Sequence, residues 1–258
     1  MKTVVCCSFK GGTGKTTVCL NLGAALASFH DKKVLLVDFD PQANLSRGLG
    51  FGPEEKNTMT PILQEKINLK DAIKKSYLPN LDIIVSNKYL VGIEKTSELL
   101  SDPYSHERLS EKLSLVKGEY DYCFIDIPPS FGWLCQSAFY ASDNALICSE
   151  LSPYSVDVLA DMKSYIEEVN QRHPITVLGV LLSFWYSKGA DNEDLLDHVN
   201  DLFPGKLFET RIRRDILMQR CIFESQAVFD LDEKSRGAED YKKAAEEFLI
   251  KENSMVGV

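Results

Sequence analysis

The chain has 258 residues, 44% of them hydrophobic and 26% charged, with a formal net charge of −9. This is enough apolar chain for one large α/β domain with a full core, and it excludes a disordered or fibrous protein. The acidic balance excludes a surface that attracts nucleic acid everywhere. Contact with a polyanion would need a local basic patch, or two patches joined in a dimer. The seven cysteines show no metal-ligand spacing, their number is odd, and no secretory leader pattern opens the sequence. These features read as reduced thiols in the cytoplasm. No apolar run is long enough to cross a membrane.

The first apolar run, about Thr3–Phe9, leads into Lys10-Gly11-Gly12-Thr13-Gly14-Lys15-Thr16-Thr17. A buried strand, a Gly-rich turn and a new helix make a phosphate cradle. Successive backbone N–H groups converge on one anion, and the helix adds its positive N-terminal end. In such a loop Lys15 reaches the β- and γ-phosphates and the Thr16 hydroxyl ligates Mg²⁺. The strict Walker A pattern has glycine at position 9, where Phe9 stands, and this chain carries an additional lysine, Lys10. That is the deviant form of the motif. The stripe Val18, Leu22, Ala25, Leu26 and Phe29 predicts the helix that follows.

A second buried strand over Val34–Asp38 runs on into Phe39-Asp40-Pro41-Gln42. Strand ends of a parallel sheet face the ligand crevice, and alternation aims Asp38 and Asp40 the same way. Two carboxylates beside a Mg-nucleotide can hold metal-bound water and position an attacking water. The same peptide alone reads equally well as a polar turn. Residues about 50–120 are the least regular, with one apolar run at Leu81–Val85. Lys70, Lys74 and Lys75 read there as a solvated helix face in preference to a second basic patch. Asn87-Lys88-Tyr89-Leu90 lacks the Asp of a guanine-reading motif, which favours ATP over GTP.

Tyr122–Asp126, followed by Ile127-Pro128-Pro129, is an apolar strand ending in an acid, the Walker B pattern. Asp126 there would orient Mg²⁺ through water. Trp133, a few residues later, reads as packing. Runs at Ala145–Ser149 and Val177–Phe184 predict two more strands. Between them Ser152-Pro153 reads as N-cap and first helical residue, ahead of the stripe Leu159, Met162, Ile166 and Val169. Arg211, Arg213, Arg214 and Arg220 cluster next, either a phosphate-binding patch or a solvated basic helix face. A last helix presents Tyr241, Ala244, Ala245, Phe248 and Leu249 on one side. Apolar strands separated by helices imply a mostly parallel twisted sheet with helices on both faces. This is an α/β P-loop NTPase fold of the deviant Walker A type, in a single domain over residues 1–258. His30, His106, His173 and His198 are scattered and indicate no metal site.

KGGTGKTT, VDFDPQAN and FIDIPPS, in this order and at these spacings, resemble the ParA family of Walker-type ATPases that partition chromosomes and plasmids. The segment Phe229–Ala238 resembles the family's stretch before its last helix. The resemblance implies ATP and Mg²⁺ as ligands, with Lys10 through Thr17 holding the nucleotide and Thr16, Asp38 and Asp126 the metal site. It implies catalytic roles for Lys10, Lys15 and Asp40, the last positioning the attacking water. It implies a nucleotide-dependent homodimer in which Lys10 crosses to the partner's nucleotide. That dimer would bind double-stranded DNA without sequence preference, on the nucleoid, until a ParB-like activator stimulates hydrolysis and release.

Where the family often has Pro-Arg-Asn, this chain reads Arg213-Arg214-Asp215 and then Leu217. A MinD-like relative acting on a membrane or protein partner is the alternative. It would need a basic amphipathic tail, and the C-terminal segment carries Glu246, Glu247 and Glu252, so no membrane partner is expected. A relative of the nitrogenase iron protein would need paired cluster cysteines, and Cys135 has no counterpart. A metabolic P-loop kinase would not need Lys10.

Overall fold

The computed structural model describes residues 1–93, 95, 102–186 and 192–256. Its strands are β1 (Lys2–Cys7), β2 (Val34–Asp38), β3 (Ile73–Lys75), β4 (Leu81–Ile84), β5 (Tyr122–Asp126), β6 (Asn144–Glu150), β7 (Thr176–Trp185) and β8 (Leu207–Arg213). The helices are α1 (Lys15–His30), α2 (Asn44–Arg47), α3 (Met59–Leu63), α4 (Leu69–Ala72), α5 (Leu90–Ile93), α6 (Arg108–Ser114), α7 (Trp133–Tyr140), α8 (Pro153–Asn170), α9 (Asn192–Leu202), α10 (Leu217–Glu224), α11 (Val228–Leu231) and α12 (Arg236–Val256). Among the described residues the strands form one eight-stranded sheet in the order β3-β4-β2-β5-β1-β6-β7-β8. Every pair is parallel except β3 with β4.

Continuous apolar strands are what a sheet covered on both faces requires. Successive side chains point to opposite faces. Val5, Cys7, Leu35, Val37, Ile125 and Ile147 join one core, which α7 and α8 close with Phe139, Leu159, Met162, Ile166 and Val169. Val4, Cys6, Leu36, Phe124, Leu146 and Cys148 join the other, closed by Leu22, Leu26, Tyr241 and Phe248 of α1 and α12. All seven cysteines are buried and unbridged, as small core hydrophobes are. Helix α8 starts at Pro153, and the Ser155 hydroxyl accepts the Ser152 N–H at 2.9 Å. Phe29 departs from the predicted α1 stripe. It is 44% exposed, edge-packed on Phe229, with the Lys242 ammonium over its ring.

Two strands were not legible as apolar runs. β3 is a short antiparallel edge strand, so Lys74 and Lys75 lie on a sheet edge and not on a helix face. They pair with Glu55 and Asp82, and lysines on an edge deter pairing with another chain. β8 is the opposite edge, reads Leu-Phe-Glu-Thr-Arg-Ile-Arg with only Phe208 and Ile212 buried, and carries Arg211 and Arg213 on a strand instead of a helix. The chain leaves β1 toward β2 on one side and returns to β6 on the other. The crevice at the carboxyl end of β1 is therefore the place such sheets bind ligands.

Candidate functional site

The loop after β1 opens into that crevice. Gly12 and Gly14 have φ of +78° and +85°, a left-handed backbone that L side chains rarely adopt. Gly14 is the N-cap of α1, with no side-chain cap, so the free amides of the first turn point at whatever occupies the loop. A Cβ on Gly14 would meet the Ser183 hydroxyl at 3.2 Å. Lys15 is buried at the start of α1, and its ammonium donates to the Ser8 carbonyl at 3.3 Å across the loop. Lys10 pairs with Glu150 at the end of β6. Both side chains of that pair are about one-third exposed.

The acids come from adjacent strand ends. Asp38 and Asp126 are cross-strand partners in the β2–β5 register. The Thr16 hydroxyl donates to Asp126 Oδ2 at 2.7 Å. Asp126 Oδ1 is buried with no hydrogen-bond partner among the described residues. Burial and the neighbouring Asp38 push the Asp126 carboxyl well up from its ordinary range. Asp38 is also fully buried, and its carboxyl is pushed up to about 7 by that burial.

β2 ends at Asp38, yet Phe39 still joins the core of Leu35 and Val37 and its N–H donates to the Asp126 carbonyl at 2.8 Å, and the two acids differ in how they meet the cavity. Asp38 turns inward. It accepts the Ser46 N–H and hydroxyl at 2.7 Å each and the Asp40 N–H at 3.2 Å. Only Asp40 lines the cavity, held by the Gln42 N–H at 2.8 Å.

The cavity holds about 520 Å³, a volume suited to a cofactor-sized ligand. The loop Gly11–Thr17 and Asp40 line it, with the Phe184 ring beside Gly14, and α10 adds an apolar wall of Met218, Ile222 and Phe223. This apolar wall was not read from the sequence. The amphipathic pattern Leu217, Met218, Cys221 and Ile222 was its signal, hidden among the arginines that flank it. Trp133 packs as expected, its Nε1 donating to Ser105 at 3.1 Å.

The four arginines have different fates. Arg213 on β8 is committed to a neighbour: its Nε lies 3.0 Å from both Asp240 oxygens and its amino group reaches Asp240 at 2.8 Å and Glu239 at 2.9 Å. Arg211 is partly buried, lies over the Trp185 ring at 5.7 Å and donates to the Phe208 carbonyl. Burial lowers its affinity for the proton. Arg214 is exposed. Arg220 is exposed on α10, one turn from Glu224 at 3.5 Å. Among the described residues no group of three or more His, Cys, Asp or Glu could hold a metal by itself, and no helix is long and apolar enough to cross a membrane.

A family model described as an AAA domain matches residues 1–177. A ParA family protein of Chlamydia trachomatis is 43% identical over 250 residues, covering 97% of this chain and 98% of that one. The sporulation initiation inhibitor protein Soj of Bacillus subtilis is 35% identical over 250 residues, covering 95% and 97%. Among solved structures, apo McdA of Cyanothece shares the fold with a TM-score of 0.86 at 25% identity, over 96% of this chain and 99% of that one. The septum site-determining protein MinD of Pyrococcus horikoshii, complexed with Mg-ADP, does so with a TM-score of 0.78 at 26% identity, over 95% of each chain. With its phosphate loop, its two strand-end acids and relatives matched along nearly the whole length, the chain belongs to the ParA family of P-loop proteins.

Proposed function

We propose that this protein is an ATP-hydrolysing partition protein whose nucleotide state controls binding to DNA. The observation that carries the reading is the pair of lysines in one loop. Lys15 is buried at the cradle, while Lys10 makes an ion pair with Glu150 in which both side chains are about one-third exposed. Ion pairs this exposed contribute about 0–1 kcal/mol. Lys10 is thus placed without being locked, and it is free to exchange Glu150 for a phosphate of a second protomer across a face-to-face dimer. There it would neutralise charge on the transferring group, as an arginine finger does.

The residues fit ATP with Mg²⁺. The loop amides and Lys15 hold the phosphates, and the apolar wall on α10 suits a base. The unpartnered Asp126 oxygen beside the Thr16 hydroxyl is the donor set for Mg²⁺, with the Asp38 carboxyl on the adjacent strand. When bound, Mg²⁺ supplies charge neutralisation at the β- and γ-phosphates. Asp40, at the cavity wall, holds the attacking water. The Asp38–Ser46 hydrogen bonds keep the Asp40 loop in register. Related proteins support the partition role: a Myxococcus xanthus relative is a chromosome partitioning protein ParA, and Chlamydia psittaci has a virulence plasmid ParA family protein.

Arg214 and Arg220, with Arg211 as the inner member, form the DNA-facing set. A net charge of −9 makes two such patches in a dimer the practical way to hold a polyanion. A ParB-like activator completes the cycle by stimulating hydrolysis.

The test is binding of arbitrary double-stranded DNA by the Asp40→Ala protein with ATP or ADP across a salt series. The reading requires ATP-dependent, sequence-blind binding that weakens steeply with salt. An ATP dimer that ignores DNA in both states would instead support a membrane or protein cargo.

A further inference from the structure

The apolar wall of the cavity belongs to α10, which shares no strand or turn with the phosphate loop. Something has to hold the two at the spacing of one ligand. The restraints on α10 can be traced. At its start Asp215 accepts the Leu217 N–H at 3.0 Å and, through its other oxygen, the Gly237 N–H at 3.1 Å. At its end Ser225, with φ of 56°, donates to the Arg47 carbonyl at 3.1 Å, and the Tyr77 hydroxyl accepts the Ala227 N–H at 2.7 Å.

One further restraint starts in α1. Asn21 is fully buried, one turn beyond Thr17. Its amide nitrogen donates to the Thr17 carbonyl at 2.9 Å and lies 3.9 Å from Cys221 Sγ on α10. Its oxygen accepts the Val228 N–H at 2.7 Å, an otherwise open donor at the start of α11.

An asparagine is a poor choice for the interior of a buried helix. It is a weak helix former, and a buried amide is costly unless its hydrogen bonds are made. A leucine would fill the space and leave the buried Val228 N–H unpaired. We propose that Asn21 is the positioning residue that holds the base-side wall of the cavity against the phosphate cradle. Its three contacts join the last residue of the phosphate motif to Cys221 within α10 and to the start of α11. This rests on the reading of the cavity as a nucleoside triphosphate site. It assigns Asn21 to the base end of that ligand and not to its phosphates.

The experiment compares two probes that share a phosphate end, ATP and inorganic tripolyphosphate, each titrated with Mg²⁺ against the full-length protein. Asn21→Ala is expected to weaken ATP about tenfold or more while tripolyphosphate changes by less than about twofold. Val228→Pro removes the N–H that Asn21 accepts. Proline suits the first position of a helix, and Ala227 before it is already extended with ψ of 154°. This variant keeps Asn21 itself intact and is expected to reproduce the selective loss, so it carries the test if Asn21→Ala does not fold.

A parallel fall of both probes, or no fall in ATP, in a protein whose wild type binds ATP would overturn the role of Asn21 and leave the nucleotide reading standing. A wild-type protein that binds tripolyphosphate and not ATP would overturn the nucleotide reading itself.

Discussion

Arg213 is where a motif-based and a structure-based expectation part most sharply. Read as part of a basic cluster, its loss should weaken DNA binding and leave the fold alone. In the structure its guanidinium closes on Asp240, whose side chain is 6% exposed, and its outer edge touches Glu239. Removing one partner of a buried ion pair costs about 3–5 kcal/mol, because the other charge stays buried. Two features reduce that here. The Arg213 side chain is 36% exposed, so water can replace part of it. The Arg213 backbone N–H, which also donates to Asp240 at 2.8 Å, survives truncation. Arg213→Ala should therefore cost about 2–3 kcal/mol, at or below the lower end of that range. In a domain of this size each kcal/mol lowers Tm by about 2–4 °C, which gives a fall of about 4–12 °C.

Thermal and urea unfolding of Arg213→Ala, Asp240→Ala and the double variant would measure both the cost and the coupling. A double variant no worse than the worse single one is expected. Arg214→Ala and Arg220→Ala are the contrast. Each should unfold within about 0.5 kcal/mol of wild type and reduce the salt slope of DNA binding by about one. An Arg213→Ala protein with an unchanged unfolding midpoint would refute the structural role and return that residue to the DNA-facing set.

Lys10→Ala should still bind ATP as a monomer yet lose turnover by about 10³-fold or more, seen by comparing ATP titration with steady-state hydrolysis; turnover at the wild-type rate would remove the crossing lysine from the mechanism. Gly179→Ala drives a methyl into the Phe208 ring and to 2.7 Å from the Lys206 carbonyl. The Phe208 ring is fully buried and the carbonyl is backbone, so a loss of about 1–3 kcal/mol in urea is expected, and an unaltered midpoint would contradict the β7–β8 packing. Asp38 titrates near 7 in the folded protein, well above its unfolded value, so the folded state holds the extra proton. Without nucleotide, its contribution to stability is present at about pH 4 and is lost as pH rises through about 7. The stability of wild type minus that of Asp38→Asn should fall over this interval, and a difference that rises with pH would show that burial is not the dominant influence on the carboxyl.

The central strands and the phosphate loop were legible because local and tertiary demands agree there. Val4 through Cys7 must be apolar on both sides, and the glycines at 12 and 14 are needed for a left-handed backbone. What stayed hidden lies at the sheet edges and where one polar atom decides the outcome. β8 lies at an edge and buries only Phe208 and Ile212, four residues apart, so its pattern mixes arginine with apolar residues and resembles a helix face. Nothing local says that Arg213 finds Asp240, because the partner is 27 residues away on α12.

Asp38 and Asp40 show the same limit from the other side. Their spacing places both near the crevice. The Ser46 amide and hydroxyl hold Asp38, though, and of the two only Asp40 lines the cavity. Asn21 carries no motif at all. A lone asparagine inside an apolar helix is read as a defect until its partners on Thr17 and Val228 are seen, 207 residues apart at the farther one. The chemistry of this site is therefore written in short motifs, while its spacing is set by buried polar contacts between segments distant in the chain. Substitutions at those contacts should change which ligand fits before they change whether the phosphates are held.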